Sequence, residues 1–176
     1  MNLQKIYLKR MKKLQYLLMA GALLVLARSD KRRMLRGNDK WGSGFFGASR
    51  GNRPHLGVDV KTTPGERIYA PADMWIERTA NPYSTGSYSG LKFRLSSNSR
   101  TFVGRVFYIL PNSEVVGLEV KQGQFIGTAQ DISKKYPGMI NHAHWQLKQT
   151  EGIITPNGIS YNGDEYVNPM NFLNFT

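Results

Sequence analysis

The chain predicts an all-β domain of antiparallel sheets packed as a sandwich, preceded by a hydrophobic N-terminal helix. Three observations carry this. Turn residues punctuate the chain after residue 40 at short intervals, among them Pro64-Gly65, Gly86, Gly90, Pro111-Asn112, Gly123, Pro137-Gly138, Pro156-Asn157-Gly158 and Asn162-Gly163. Between them lie short runs rich in β-branched and aromatic residues. No long amphipathic helical pattern appears in that region. Short strands at regular spacing between turn signals are the pattern of an antiparallel sheet protein.

Taken in order, residues 1–13 are a basic lead with Lys5, Lys9, Arg10, Lys12 and Lys13. Residues 14–27 carry no charge. They are too short for a full membrane span of about 20 residues and fit a signal-peptide core or a short retained anchor. Val25-Leu26-Ala27 offers a candidate cleavage point, although Arg28 is a poor flank for one. This run is expected to form a helix outside the β core, facing lipid or another protein. Basic residues on both sides leave its orientation open. Residues 28–40 read as a linker, so the chain divides into a segment 1–40 and a domain 41–176. Val58-Asp59-Val60 looks like strand entry. Further strands are expected at 67–70, 74–78, 91–95, 100–110, 124–129 and 142–147. The loop 81–90 is polar and carries Tyr83 and Tyr88.

At 176 residues the chain is long enough for one domain with a real core. It has no cysteine, which excludes disulfides, thiolate metal sites and a cysteine nucleophile. The formal net charge is +12 and unevenly spread. Residues 1–40 hold 11 Lys/Arg against two Asp/Glu, whereas 41–176 hold 13 against 10. The basicity therefore belongs mainly to the N-terminal segment, where it suits an anionic membrane face or wall polymer. Nucleic-acid binding has only this charge behind it, with no recognition module.

The chemistry concentrates in the chain's three histidines, which fall in two short motifs. One is His55-Leu56-Gly57-Val58-Asp59. The other is His142-Ala143-His144. Two imidazoles and a carboxylate are a sufficient set for a zinc ion with one position open. Residues two apart on a strand face the same side, so His142 and His144 can share one cavity. Pro54 and Gly57 argue against a helix around His55, so Asp59 is expected on a strand and His55 in the loop before it. The competing reading is three ordinary histidines, one in a turn and two on a half-buried strand.

The flanks extend the pattern. Thr63-Pro64-Gly65-Glu66-Arg67-Ile68-Tyr69-Ala70-Pro71, Val120-Lys121-Gln122-Gly123-Gln124-Phe125-Ile126-Gly127 and Asn141-His142-Ala143-His144-Trp145 follow Arg53–Val60 in order. Together they resemble the lysostaphin-type (LytM-like) zinc metallopeptidases over about residues 41–150. Arg53-Pro54-His55, Phe107-Tyr108-Ile109 and Tyr136-Pro137-Gly138 are similar to the leukocyte cell-derived chemotaxin branch, regarded as lacking peptidase activity. The resemblance implies a duplicated-hybrid-motif-like β fold, a Zn2+ cofactor and a peptidoglycan peptide substrate. It implies His55, Asp59 and His144 as metal ligands and His142 as a catalytic residue. Active members carry another His in a Y-x-H-L segment. Here the stretch is Phe107-Tyr108-Ile109-Leu110, with Ile109 in the His place. Tyr108 would face away from Ile109 on a regular strand, unless a bulge intervenes. Tyr83, Tyr88 and Tyr108 are candidate groove residues.

Two functions are therefore expected to compete. One is a zinc endopeptidase for bacterial wall cross-links, exported or membrane-associated through residues 14–27, either a cell's own enzyme or part of a phage particle. The other is a catalytically weak or inactive zinc-binding β module that binds a wall component or a protein partner.

Overall fold

A computed structural model describes residues 34–175. The apolar run 14–27, its expected helix and its membrane role lie outside the described residues. Among the described residues no helix is long and apolar enough to cross a membrane.

The strands are β1 (Gly57–Lys61), β2 (Arg67–Tyr69), β3 (Met74–Ala80), β4 (Gly90–Ser97), β5 (Arg100–Phe107), β6 (Ile109–Pro111), β7 (Glu119–Val120), β8 (Phe125–Ala129), β9 (His142–Glu151), β10 (Ile159–Tyr161) and β11 (Asp164–Val167). Helical structure after β1 is limited, among the described residues, to 3₁₀ turns at Ser113–Val115, Ile132–Lys134 and Pro169–Asn171. Asn112, Asp131 and Asn168 cap these turns with their side chains. A large antiparallel sheet runs β10-β11-β9-β5-β4-β3-β7, with β1 also on β9, and a small one runs β2-β8-β6. β9 is the organising strand. One edge pairs with β5, and the other is shared by β1 at His142–Gln146 and β11 at Leu147–Gln149.

Alternation along β9 sorts its side chains. Ala143, Trp145 and Leu147 are buried in the core with Phe93, Phe102, Val106 and Ile76. The Trp145 ring packs edge-on against Phe93 at 5.9 Å and Phe175 at 5.4 Å. His142, His144, Gln146 and Lys148 take the opposite face. Burying side chains of this size contributes roughly 1.5–3 kcal/mol each. That burial fixes the register of β9, because a one-residue slip would put Trp145 where His144 belongs.

Two features differ from the sequence reading. The run 100–110 is not one strand. It breaks at Tyr108, whose φ of 65° lies in the left-handed region. The hairpin β10–β11 was not expected as strands, although its Asn162-Gly163 tip is a hairpin signal, with φ of 52° and 79°. Ahead of Trp41, residues 35 and 36 pair with β1. Leu35 bridges to Val60 and is buried, because its side chain completes the core beside β1.

Candidate metal centre

The pairing of β1 with β9 sets Asp59 directly opposite His144, and Lys61 opposite His142. Cross-strand partners share a face, so the Asp59 carboxylate and the His144 ring meet. Gly57 makes this approach feasible. A Cβ there would lie 2.2 Å from the Trp145 carbonyl oxygen and 2.9 Å from His144 Nε2. His55 comes from the preceding loop. Its N–H donates to Ala48 O at 2.7 Å and its carbonyl accepts from Gly47 N at 2.8 Å.

Three ligand atoms converge as a result. His55 Nε2 lies 3.1 Å from His144 Nδ1 and 3.2 Å from Asp59 Oδ1, and His144 Nδ1 lies 2.8 Å from the same oxygen. A tetrahedral ion with bonds of about 2.0–2.2 Å spaces its ligand atoms about 3.3–3.6 Å apart. The trio needs to spread by only a few tenths of an ångström to hold a metal ion, and it is the His/Asp group of suitable geometry among the described residues. The donor chemistry also fits. His55 Nδ1–H donates to the Phe45 carbonyl at 2.9 Å, which leaves the Nε2 lone pair facing the centre. Burial holds the His55 pKa below the ordinary imidazole value, so the ring is neutral and ready to ligate.

Asp59 is bound from behind. Its other oxygen, Oδ2, accepts from Arg36 Nε at 3.1 Å, Arg36 Nη2 at 3.0 Å and Arg50 Nη2 at 3.3 Å. Arg36 is 1% exposed, and its Nη1 donates to Asp39 Oδ2 at 2.7 Å and to Gly42 O at 2.9 Å. Burial would raise the Asp59 pKa. The hydrogen bond with His144 outweighs it and holds the carboxyl well below the usual range. The backbone is tied in too: Arg36 N donates to Asp59 O at 2.7 Å, and Asp59 N to Gly44 O at 2.9 Å. The sequence reading missed Arg36, Asp39 and Arg50. Arg36 was one basic residue in a basic segment, and only pairing with β1 distinguishes it.

His142 stands beside the trio. Its Nδ1–H donates to the Ile140 carbonyl at 2.8 Å, and Nε2 lies 3.7 Å from Asp59 Oδ1. Burial lowers its pKa. These groups sit at the foot of a cleft of about 330 Å³. Trp41, Tyr83, Phe107, Tyr108 and Tyr136 form an aromatic lining. Tyr88 is not part of it. It packs behind Tyr83 and Tyr108, and its hydroxyl donates to the Asp131 carbonyl at 2.8 Å.

The strand break explains the wall. Ser89 O accepts from both Tyr108 N at 2.9 Å and Ile109 N at 3.2 Å, and Gln130 N donates to Tyr108 O at 2.8 Å. These bonds hold Tyr108 in its left-handed conformation and reset the alternation. Phe107 and Tyr108 both reach the cleft, while Ile109 is fully buried in the core. Tyr108 packs edge-on to His142 at 5.3 Å, and its hydroxyl lies 3.2 Å from that of Tyr83. Tyr83 in turn donates to Tyr136 at 3.1 Å.

Comparison with known proteins follows the same lines. No family model matches the chain. It is 33% identical over 126 residues to leukocyte cell-derived chemotaxin-2 of Mus musculus, across 72% of this chain and 81% of that one. The Bos taurus protein of that name is 30% identical over the same length and the same shares of the two chains. The solved structure of the antimicrobial peptidase lysostaphin from Staphylococcus simulans shares the fold, with a TM-score of 0.52 and 22% identity over 80% of this chain and 54% of that one. With 33% identity across 72% of its own length and 81% of the relative's, the chain belongs to the family of leukocyte cell-derived chemotaxin-2, on the lysostaphin-type (LytM-like) fold.

Proposed function

We propose that the cleft is a zinc-dependent endopeptidase centre for the cross-link peptides of bacterial peptidoglycan, with His55, Asp59 and His144 holding the ion. The observation that carries this is the convergence of their ligand atoms, 2.8–3.2 Å apart, in an open cleft that also presents His142. Zinc held there would supply a Lewis acid, able to lower the pKa of a water toward ~7 and to polarise a peptide carbonyl. The chain's own groups do the rest. His142, with Nδ1–H committed to Ile140, keeps its Nε2 lone pair toward the centre and takes the proton of the attacking water. The Tyr108 hydroxyl, kept protonated by burial, donates to the oxygen on which negative charge develops. Residues 1–27 would deliver or hold the domain at the cell envelope.

The test is incubation of the purified full chain with peptidoglycan, with chelator and with zinc restored, reading released amino groups. Chelator-sensitive release supports the proposal. A second reading has its own observation: His55 and His144 are taken by the metal trio and Ile109 is buried, so the cleft has no non-ligating imidazole other than His142. That favours a zinc-binding module without turnover, in keeping with relatives named as chemotaxins. Stoichiometric zinc with no release would select it.

A further inference from the structure

The cleft does not end at the metal centre. Gln146, two residues beyond His144 on β9, lines both the cleft and a second depression of about 180 Å³ on the same sheet face. Lys92, Arg105, Lys148, Asp164 and Tyr166 surround this depression, and Val103 gives it an apolar floor. The register builds it directly: Arg105 lies opposite Gln146, Lys92 opposite Arg105, and Lys148 opposite Val103.

Two of the cations are already paired. Lys92 lies 2.6 Å from Glu77, and Lys148 lies 3.0 Å from Asp164. Arg105 is exposed and has no carboxylate partner among the described residues. A planar guanidinium suits a carboxylate, which it can bind through two parallel hydrogen bonds. The neighbouring Gln146 amide adds a further donor. At about 3.3 Å per residue, Gln146 lies about 7 Å along β9 from His144, a distance that an extended peptide covers in two residues.

We infer that the depression centred on Arg105 is a subsite for a side-chain carboxylate of an acidic peptide, two to three residues from the bond held at the metal centre. This rests on the proposed peptide-binding role of the cleft. The placement favours a peptide over a phosphate polymer, because the cationic group is reached at peptide spacing along the strand that carries His144. The rest of the domain does not share this bias, since outside Lys92, Arg105, Lys148 and Asp164 residues 41–176 hold 10 Lys/Arg against 9 Asp/Glu.

The test uses the zinc-loaded full chain and fluorescein-labelled glycine-rich octapeptides. Each has one Glu three residues from the central bond, on one side or the other, and each is matched by a Gln analogue. Anisotropy should show about fivefold tighter binding of one Glu peptide than of its Gln partner, the upper scale of an ion pair at an exposed site. Arg105→Gln should bring the ratio within about twofold, with zinc content and Tm unchanged. Equal binding of Glu and Gln peptides, or a preference that survives Arg105→Gln, would overturn the subsite. Stronger displacement by a glycerol phosphate polymer than by the acidic peptide would overturn the peptide assignment. Cleavage is read separately. A Glu preference without cleavage rejects the peptidase reading and leaves the subsite standing, whereas cleavage without preference does the reverse.

Discussion

Arg36→Met tests whether the buried guanidinium is what holds Asp59 in place. Arg36 makes four hydrogen bonds at 2.7–3.1 Å, two of them to Asp59 Oδ2, and is 1% exposed. Methionine replaces its apolar stem but none of its donors. Oδ2 is then left with Arg50 at 3.3 Å, and Asp39 loses its 2.7 Å partner. Removing one member of a buried ion pair costs about 3–5 kcal/mol, mostly because the other charge stays buried without compensation. At roughly 2–4 °C per kcal/mol for a domain of this size, Tm should fall by about 6–20 °C in chelator. Zinc affinity should also fall by about 10- to 100-fold, as for other residues that orient a ligand from behind. Arg36→Lys should recover part of the stability and little of the affinity, because an ammonium cannot reproduce the two bonds to one oxygen. Calorimetry with and without zinc and competition against a chromophoric chelator measure both. A metal-free Arg36→Met protein melting with the wild type would refute the argument.

His144→Ala should abolish zinc binding, whereas His142→Ala should keep zinc and lower any hydrolysis by about 100-fold or more; metal analysis and peptidoglycan release measure each. Tyr108→His should place an imidazole in the cleft and raise hydrolysis, helped by the tolerance of His for positive φ. Ile109→His should instead lower Tm by burying a polar ring in the core, and a gain of activity in that variant would contradict the observed strand break. Stability of the metal-free protein should fall on acidification. Burial depresses the pKa values of His55 and His142, so the unfolded chain takes up protons first as pH drops through about 6.5. The Asp59 pKa is depressed too, so its contribution is present above the ordinary carboxylate value of about 3.9 and is lost as pH falls through the depressed value. Both shifts act in the same direction, and urea titrations at pH 7, 6 and 5 should show decreasing midpoints.

The sequence by itself determined the fold class and the residues that meet at the centre. Turn residues and alternating runs are local signals, and the spacing of two on a strand already put His142 and His144 on one face. It also determined that no fourth histidine exists to complete a second catalytic position. Only the tertiary structure decided what surrounds these groups. Arg36 reads as one more charge in a basic segment until β1 pairs with residues 35–36 and draws it beneath Asp59. Tyr108 reads as part of one strand running from 100 to 110 until Ser89 and Gln130 hold its backbone at positive φ and bring both Phe107 and Tyr108 to the cleft. Arg105 and Gln146, 41 positions apart, become neighbours through strand register. In each case the deciding interaction is a backbone hydrogen bond between distant segments, which leaves no local pattern to read.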